Sequence, residues 1–575
     1  MLNTFLNKQI NKLRKNINIE IIFLMIIAIL FGLWGGLPYY HPDFIVERSQ
    51  HILNNSGNPD FFNYPGLVLY LHSFFYVITD NLLKLLNFLL PQLNISINFY
   101  SVSHSVTVLF SIIGSVLVYF SSFIITKNRI TAFLSSFILS TSLIWVANSH
   151  YLTVDLPLAT FCVLVLFLSL YLIKKSKTLS MLELFILGSG VGLCAAAKYN
   201  GSLIITSILL PLVYSYKDEK KLLLKHLTLI ISFSIIIFLL TNPFIILNFD
   251  KFYSDFMYEI NHAQTGHFGF QNNNNFLYHI KNSLLNGFGV IPLLIAFIGL
   301  LYVILSGKYK RTQKLSLITF PFIFYLFMGS SRLSFQRYML PLIPFLSIYT
   351  AIGVHFIYNK LQKTIKNKYI TYMIVGLLIL ITLIPNFKYS IKHNLLLTKT
   401  DTRQQLINVL NNVNKPTYIN VFAGMYMKQT LKDSNFNENI TKYHNSIPRD
   451  SFRIYMEINR EILFFDSFSH DRLLYDIEPH HLKKNYKDYE ELYIIQITPF
   501  TKSKNKISFS PGSIYSPYLP DIKYRKKPGP FIEIYLPTKE LANSFVKNMK
   551  KHNIEFTFTT GKKSYYLNEI RKFKN

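Results

Sequence analysis

The chain has 575 residues, half of them apolar, and carries 59 Lys and Arg against 30 Asp and Glu, a formal charge of +29. The cations fall in short clusters between long apolar runs instead of forming one stripe, which excludes nucleic acid as the partner and fits the positive-inside rule. So many uncharged runs near the roughly 18–20 residues that span a hydrocarbon core exclude a soluble protein, and the two cysteines, Cys162 and Cys194, lie inside such runs as small hydrophobes.

In chain order, residues 1–19 are polar and basic and precede the first apolar run, IIFLMIIAILFGLWGGL from Ile21. No small-residue cleavage site follows it, so it is expected to be a retained helix. Basic clusters recur at 8–15, 127–129, 174–177, 217–225, 308–314 and 360–368. Placed together in the cytoplasm, they require two crossings between each consecutive pair. The runs 20–36, 101–125, 130–149, 156–173, 180–197, 201–215, 226–243, 288–306, 315–330, 338–357 and 369–385 supply about eleven helices, alternately outward and inward. One further stretch, PGLVLYLHSFFYVITDNLLKLLNFLL from Pro65, is apolar enough to cross but carries His72, Asp80 and Lys84. If it crossed, every later basic cluster would move outside, so it is expected to lie in the interface within a first outer loop, 37–100.

After Pro385 the hydropathy falls and stays low. Strand-like runs (YINVFA from Tyr418, LYIIQI from Leu492, FIEIYL from Phe531) and the helix-like TRQQLINVLNNV from Thr402 predict a small α/β domain over 386–575. The expected architecture is an α-helical polytopic membrane protein of the inner or plasma membrane. It has a cytoplasmic N-terminus (1–19), a membrane domain (20–385) and an extracytoplasmic α/β domain.

This sidedness gathers ionisable residues on the outer face: His41, Asp43 and Glu47 after the first helix; Asp155 between the third and fourth; Lys198 between the fifth and sixth; His262 and His267 in the loop 244–286; and Arg332 and Arg337 before the tenth. Singly, each has an ordinary reading. Asp155 before Leu-Pro suits a helix N-cap with Pro157 in the first turn. Lys198 suits a lysine snorkelling to headgroups, the arginines suit nonspecific lipid contacts, and Asp43 and the histidines suit solvated loops. As a metal pair the histidines have no acidic partner in their loop nearer than Glu259. Together they suggest more. An acidic pair at the membrane surface can take a proton from an acceptor hydroxyl or hold a metal. Cations at the same depth can bind a lipid-linked phosphate and stabilise it as a leaving group.

The series HPDF…ERSQHILNNSGNPDFFNYPGLVLYL, HYLTVDLPLATF, GLCAAAKYNG, FQRYMLPLIPFL and TDTRQQLINVL resembles, in order, motifs of the GT-C glycosyltransferases of the protein O-mannosyltransferase and aminoarabinose-transferase type, over about residues 20–415. The resemblance implies an inverting transferase that takes a sugar from a polyprenyl- or dolichyl-phosphate donor to a protein, lipid or glycan acceptor. By the matched motifs, Asp43 is the base toward the acceptor, and Asp155 the second acidic position. Lys198 and Arg337, with Arg332, Tyr64 and Tyr199, contact the donor phosphate or sugar. One position departs: the Glu of the family's His-Pro-Asp-Glu is Phe44 here, and Glu47, one helical turn on, is the nearest substitute. The resemblance requires no cofactor; it leaves a divalent metal open, with His262 and His267 as the candidate ligands. The competing reading is a transporter or flippase with an external domain. That class should show ionisable or broken positions near the midplane, where these helices are nearly free of charge.

Overall fold

The structure is a computed structural model that describes residues 19–39, 44–175, 178–266, 274–411, 418–421, 440–443, 461–466, 493–501, 522–529, 531–536 and 538–560. The chain divides into two units: residues 1–266 with 272–394, and residues 267–271 with 395–575.

The described part of the first unit is built from helices and the turns between them. Its elements are α1 (Ile19–Leu33), α2 (Ile45–Asn54), α3 (Leu67–Leu89), α4 (Phe99–Thr126), α5 (Arg129–Thr141), α6 (Leu143–His150), α7 (Asp155–Lys175) and α8 (Met181–Ala197). A 3-10 segment (Tyr199–Ile205) leads into α9 (Thr206–Ser215), followed by α10 (Lys220–Leu240) and α11 (Phe249–Thr265). Then come α12 (Asn275–Leu285), α13 (Val290–Leu305), α14 (Arg311–Ser330), α15 (Ile343–Thr364) and α16 (Lys368–Leu397).

Among the described residues, five helices are long and apolar enough to cross a membrane, or seven if each bent pair is one span. The bent pairs are α5 with α6 (54°) and α12 with α13 (111°), and α1, α8 and the segment Tyr199–Ser215 are shorter apolar helices. The eleven expected runs all fall on helices of this set or on α14. Ile22, Phe23, Ile26 and Leu30 stay exposed on α1 while Ile21, Leu24 and Ala28 are buried, as a helix with one face to lipid requires.

Two sequence readings are refined. The loop 244–286 contains a 17-residue helix, α11, with Lys251 and Asp255 paired at 2.6 Å one turn apart. At the other end, α16 runs through Pro385 to Leu397, so the helix outlasts the expected boundary at 385 by twelve residues. A proline is tolerated inside a membrane helix when neighbouring helices satisfy the freed backbone groups. Here the stretch beyond it is held by packing: Ser390 donates to Thr141 O at 2.9 Å.

Small residues set the helix spacing. A Cβ on Gly299 of α13 would strike the Tyr349 carbonyl of α15, and one on Gly353 of α15 would strike the Ile295 carbonyl of α13. The reciprocal glycines let the two backbones touch, which is how helices pack tightly where lipid supplies no hydrophobic drive.

The second unit holds a mixed sheet of β1 (Tyr418–Val421), β2 (Ile440–Tyr443), β3 (Glu461–Asp466), β4 (Tyr493–Ile497), β5 (Ile532–Leu536) and β6 (Thr557–Thr560), in the order β2-β1-β3-β5-β4-β6. β1 runs parallel to β2 and β3, and the remaining pairs are antiparallel. Leu406, Val409 and Leu410 of α17 (Thr402–Leu410) and Ala542, Phe545 and Met549 of α18 (Lys539–Lys551) cover Ile495, Ile497, Ile532, Ile534 and Leu536. Asp401 caps α17 and completes a capping box with Gln404.

Candidate active site

Three charged residues distant in sequence meet in the first unit. Asp155 is the first residue of α7. Lys198 follows α8 in an extended conformation and opens the 3-10 segment. Arg337 sits on a second 3-10 segment, Gln336–Leu342, ahead of α15. Lys198 Nζ lies 2.8 Å from Asp155 Oδ1, and Arg337 Nε lies 2.8 Å from Asp155 Oδ2. Their exposures are 1%, 8% and 2% for Asp155, Lys198 and Arg337. Each carboxylate oxygen therefore takes one cation out of water, where an unpaired charge would be very costly.

The local chain explains the placement. Gly201 N donates to Lys198 O at 2.8 Å, closing the turn. A Cβ at Gly201 would collide with the Cys194 carbonyl and with Leu158, so a tight Lys-Tyr-Asn-Gly turn is what aims Lys198 at α7. The Tyr338 ring lies 3.9 Å from Lys198 Nζ and the Tyr64 ring 5.6 Å, an aromatic cradle around the ammonium. Phe335 and Tyr338 flank the Arg337 guanidinium at 5.2 and 5.7 Å.

The stretch of chain before Tyr64 is fixed by α11 and by Tyr199. Phe62 N donates to Asp255 Oδ2 at 2.9 Å, Asn63 Nδ2 to Glu259 Oε1 at 2.8 Å, and Tyr199 Oη to Phe62 O at 2.8 Å. Tyr199 thus binds backbone of the first loop, and Tyr64 faces the triad.

A second cluster, absent from the sequence reading, grips the end of α1. Gly35 and Gly36 have φ of 104° and 71° and turn the chain out of the helix. The last-turn carbonyls are capped by side chains of other helices. His104 Nε2 of α4 lies 2.9 Å from Gly32 O, and His150 of α6 reaches Phe31 O at 2.9 Å and Gly36 O at 2.8 Å. Asn394 Nδ2 of α16 donates to Phe31 O at 2.8 Å. The rings of His104, His150 and His393 succeed one another at centroid spacings of 5.4 Å. The cap fixes residues 31–36, five residues before His41, and it does so from the turn that leads into Asp155.

Of the residues singled out from sequence, Asp155, Lys198, Arg337 and Tyr64 come together. His41, Asp43 and His267 lie outside the described residues. Glu47 is exposed in the first turn of α2 and accepts from Tyr100 Oη at 2.8 Å, with Phe44 exposed just before it. Arg332 is exposed, its backbone N donating to Ala263 O at 3.0 Å, and His262 of α11 lies 3.9 Å from Glu259. Among the described residues, no three His, Cys, Asp or Glu side chains are grouped to hold a metal ion. Tyr338 was missed although it adjoins Arg337; its ring becomes a partner of Lys198 only once the chain is folded.

The family model for dolichyl-phosphate-mannose-protein mannosyltransferases matches residues 93–246, which carry Asp155 and Lys198. A search of curated proteins finds no sequence match. Among solved structures, the Archaeoglobus fulgidus oligosaccharyltransferase in its apo form matches with a TM-score of 0.56 at 10% identity, over 83% of this chain and 73% of that one. The oligosaccharyltransferase AglB of the same organism, in complex with an inhibitory peptide and a dolichol-phosphate, matches at 0.52 and 11% identity, over 85% and 74%. ArnT from Cupriavidus metallidurans in the apo state matches at 0.52 and 12% identity, over 78% and 92%. At these identities the likeness to the solved structures is one of fold. The family model rests on the segment that holds two of the three buried charges, and the solved structures share the fold of this chain.

Proposed function

We propose that this protein is an inverting glycosyltransferase that draws on a polyprenyl- or dolichyl-phosphate-linked sugar and works at the outer face of the membrane. The observation that carries the reading is the charge of the buried cluster: Lys198 and Arg337 give +2 and Asp155 gives −1, a net +1. A buried net cation beside aromatic rings suits one anion, and a lipid-linked phosphate is the anion that a membrane enzyme of this fold would meet. The AglB match, solved with a dolichol-phosphate, supports the same ligand class.

In the proposed reaction the acceptor hydroxyl or amide attacks the anomeric carbon, and the bond from that carbon to the phosphate oxygen breaks with its electron pair. The Asp43 carboxylate takes the acceptor's proton. A single displacement inverts the anomeric centre. The carrier phosphate goes from one negative charge to two, so the fixed cations bind the departing group more strongly than the donor, and that difference accelerates the step.

The test is transfer by the purified full chain in nanodiscs from polyprenyl-phosphate sugars. Asp43→Asn should abolish turnover while carrier binding persists, and Arg337→Gln should abolish carrier binding. Full activity of Asp43→Asn would remove Asp43 from its role; undiminished carrier binding by Arg337→Gln would sink the phosphate site. For sidedness, a cysteine at position 175 should resist an impermeant label applied outside.

A further inference from the structure

Next to Arg337 in sequence, and on the elements packed against its segment, lie buried polar atoms with no hydrogen-bond partner among the described residues. Gln336 is 1% exposed, and neither its amide oxygen nor its amide nitrogen has a hydrogen-bond partner. Its 3-10 segment, Gln336–Leu342, packs against both α6 and His279–Leu285. From α6, Asn148 is fully buried; its amide nitrogen donates to Ile144 O at 2.7 Å, and its oxygen has no partner. On the second element, His279 is fully buried and opens a π-helical turn. Its Nδ1 lies 3.2 Å from Ser283 Oγ, while its Nε2 has no partner. π-turns are rare and recur at functional sites.

An amide buried with both ends unmet costs about 1–3 kcal/mol per group, and native proteins carry few. Here three side chains with buried unmet atoms come from the 3-10 segment and the two elements it packs against, and Gln336 is next in sequence to the arginine assigned to the carrier phosphate. Their unmet atoms are mixed in kind. The Asn148 oxygen accepts, the Gln336 amide offers a donor and an acceptor, and the His279 nitrogen serves as either according to its tautomer. A ring of hydroxyls, each of which both donates and accepts, fits that mixture; an acyl chain or a bare phosphate does not.

We infer that Gln336, with Asn148 and His279, forms the subsite that receives the glycosyl hydroxyls of the donor, separate from the cations that hold its phosphate. The inference rests on the glycosyltransferase reading. Sugar discrimination is then assigned to neutral hydrogen-bonding groups around Gln336, and carrier affinity to Lys198 and Arg337. A site built to bond hydroxyls rejects ligands that lack them, because its own polar groups are then left unpaired.

The experiment compares binding of a short-chain polyprenyl phosphate with that of its mannosyl, glucosyl and galactosyl esters, using the full chain in nanodiscs. The wild type should bind at least one ester more tightly than the bare carrier. Gln336→Met, which keeps the side-chain volume, should weaken that ester roughly tenfold and leave the bare carrier unchanged. The variant should also match or exceed the wild type in thermal stability, since it removes an unsatisfied buried amide. His279→Phe disturbs Ser283 as well, so its readout is the ratio of ester to carrier affinity, which should fall. Three results would each overturn the inference: a wild type that binds the carrier and all esters alike, a Gln336→Met variant that keeps the ester preference, or one that loses stability. A wild type that binds neither carrier nor ester would instead overturn the glycosyltransferase reading beneath it.

Discussion

Replacing Asp155 by asparagine removes the one negative charge from a cluster in which all three side chains are 10% exposed or less. Breaking a buried ion pair by removing one partner costs about 3–5 kcal/mol, because the remaining charge stays desolvated and unpaired. The substituted amide would still accept one hydrogen bond through its oxygen while turning its hydrogens toward the other cation, so the lower end applies, about 3 kcal/mol. That is roughly a hundredfold shift toward the unfolded chain. The site's charge rises from +1 to +2 in the same step, so a carrier phosphate should restore more stability to the variant than it adds to the wild type. The assay is thermal unfolding of the full chain in nanodiscs, with and without short-chain polyprenyl phosphate, at two salt concentrations. Salt should matter little, because a buried cluster is poorly screened. If Asp155→Asn is as stable as the wild type without carrier, or gains no more from it, the account of a buried cationic site is refuted.

Other outcomes follow from single contacts. Gly201→Val should overpack the Lys198 turn against the Cys194 carbonyl and Leu158, lowering stability by about 1–3 kcal/mol and carrier binding with it; an unaffected variant would show that the turn has room. His150→Leu leaves the part-buried Gly36 O without its side-chain partner and Phe31 O with Asn394 alone, for a loss of about 1–3 kcal/mol and faster amide exchange over residues 32–38; unchanged exchange would disprove the cap. In the second unit, burial lowers the pKa of Lys527 below 10.5, helped by Lys526 and Lys399. The folded state therefore disfavours the charged form. Its penalty is full below the lowered folded pKa and disappears as pH rises to 10.5, so Lys527→Met should raise the melting temperature at pH 7 and lose that advantage toward pH 10.5. A gap that is constant with pH would contradict this.

The sequence made the membrane domain legible because lipid imposes a single, strong rule: long apolar runs, with cations held to one side. That rule was enough to put Asp155, Lys198 and Arg337 at one depth. It could not show that they bond one another, since the pairs are separated by 43 and 182 residues and depend on how three helix ends meet. Nor could it reveal α11, whose apolar positions are diluted by charges, as Asp250, Lys251, Asp255 and Glu259 alternate with aromatics. Pro385 reads as a helix stop, yet α16 continues because Ser390 and Asn394 dock its far end on α5 and α1. In the second unit, YIIQI and IEIYL alternate clearly enough to be read as strands, and they are β4 and β5. His104, His150 and His393 gave no signal: a lone histidine in an apolar run looks the same whether it is idle or capping a helix 363 residues away in sequence, as its neighbour Asn394 does.

That cap also constrains how the protein is made. The final carbonyls of α1 receive His104 and His150 only after α4 and α6 exist, and Asn394 only after α16 has been synthesised. The turn after α1 is therefore latched in two stages, by the histidines once α6 is made and by Asn394 once α16 is made. Asn394 completes the cap on a carbonyl 363 residues earlier in the sequence, so the two ends of the helical unit fold as one.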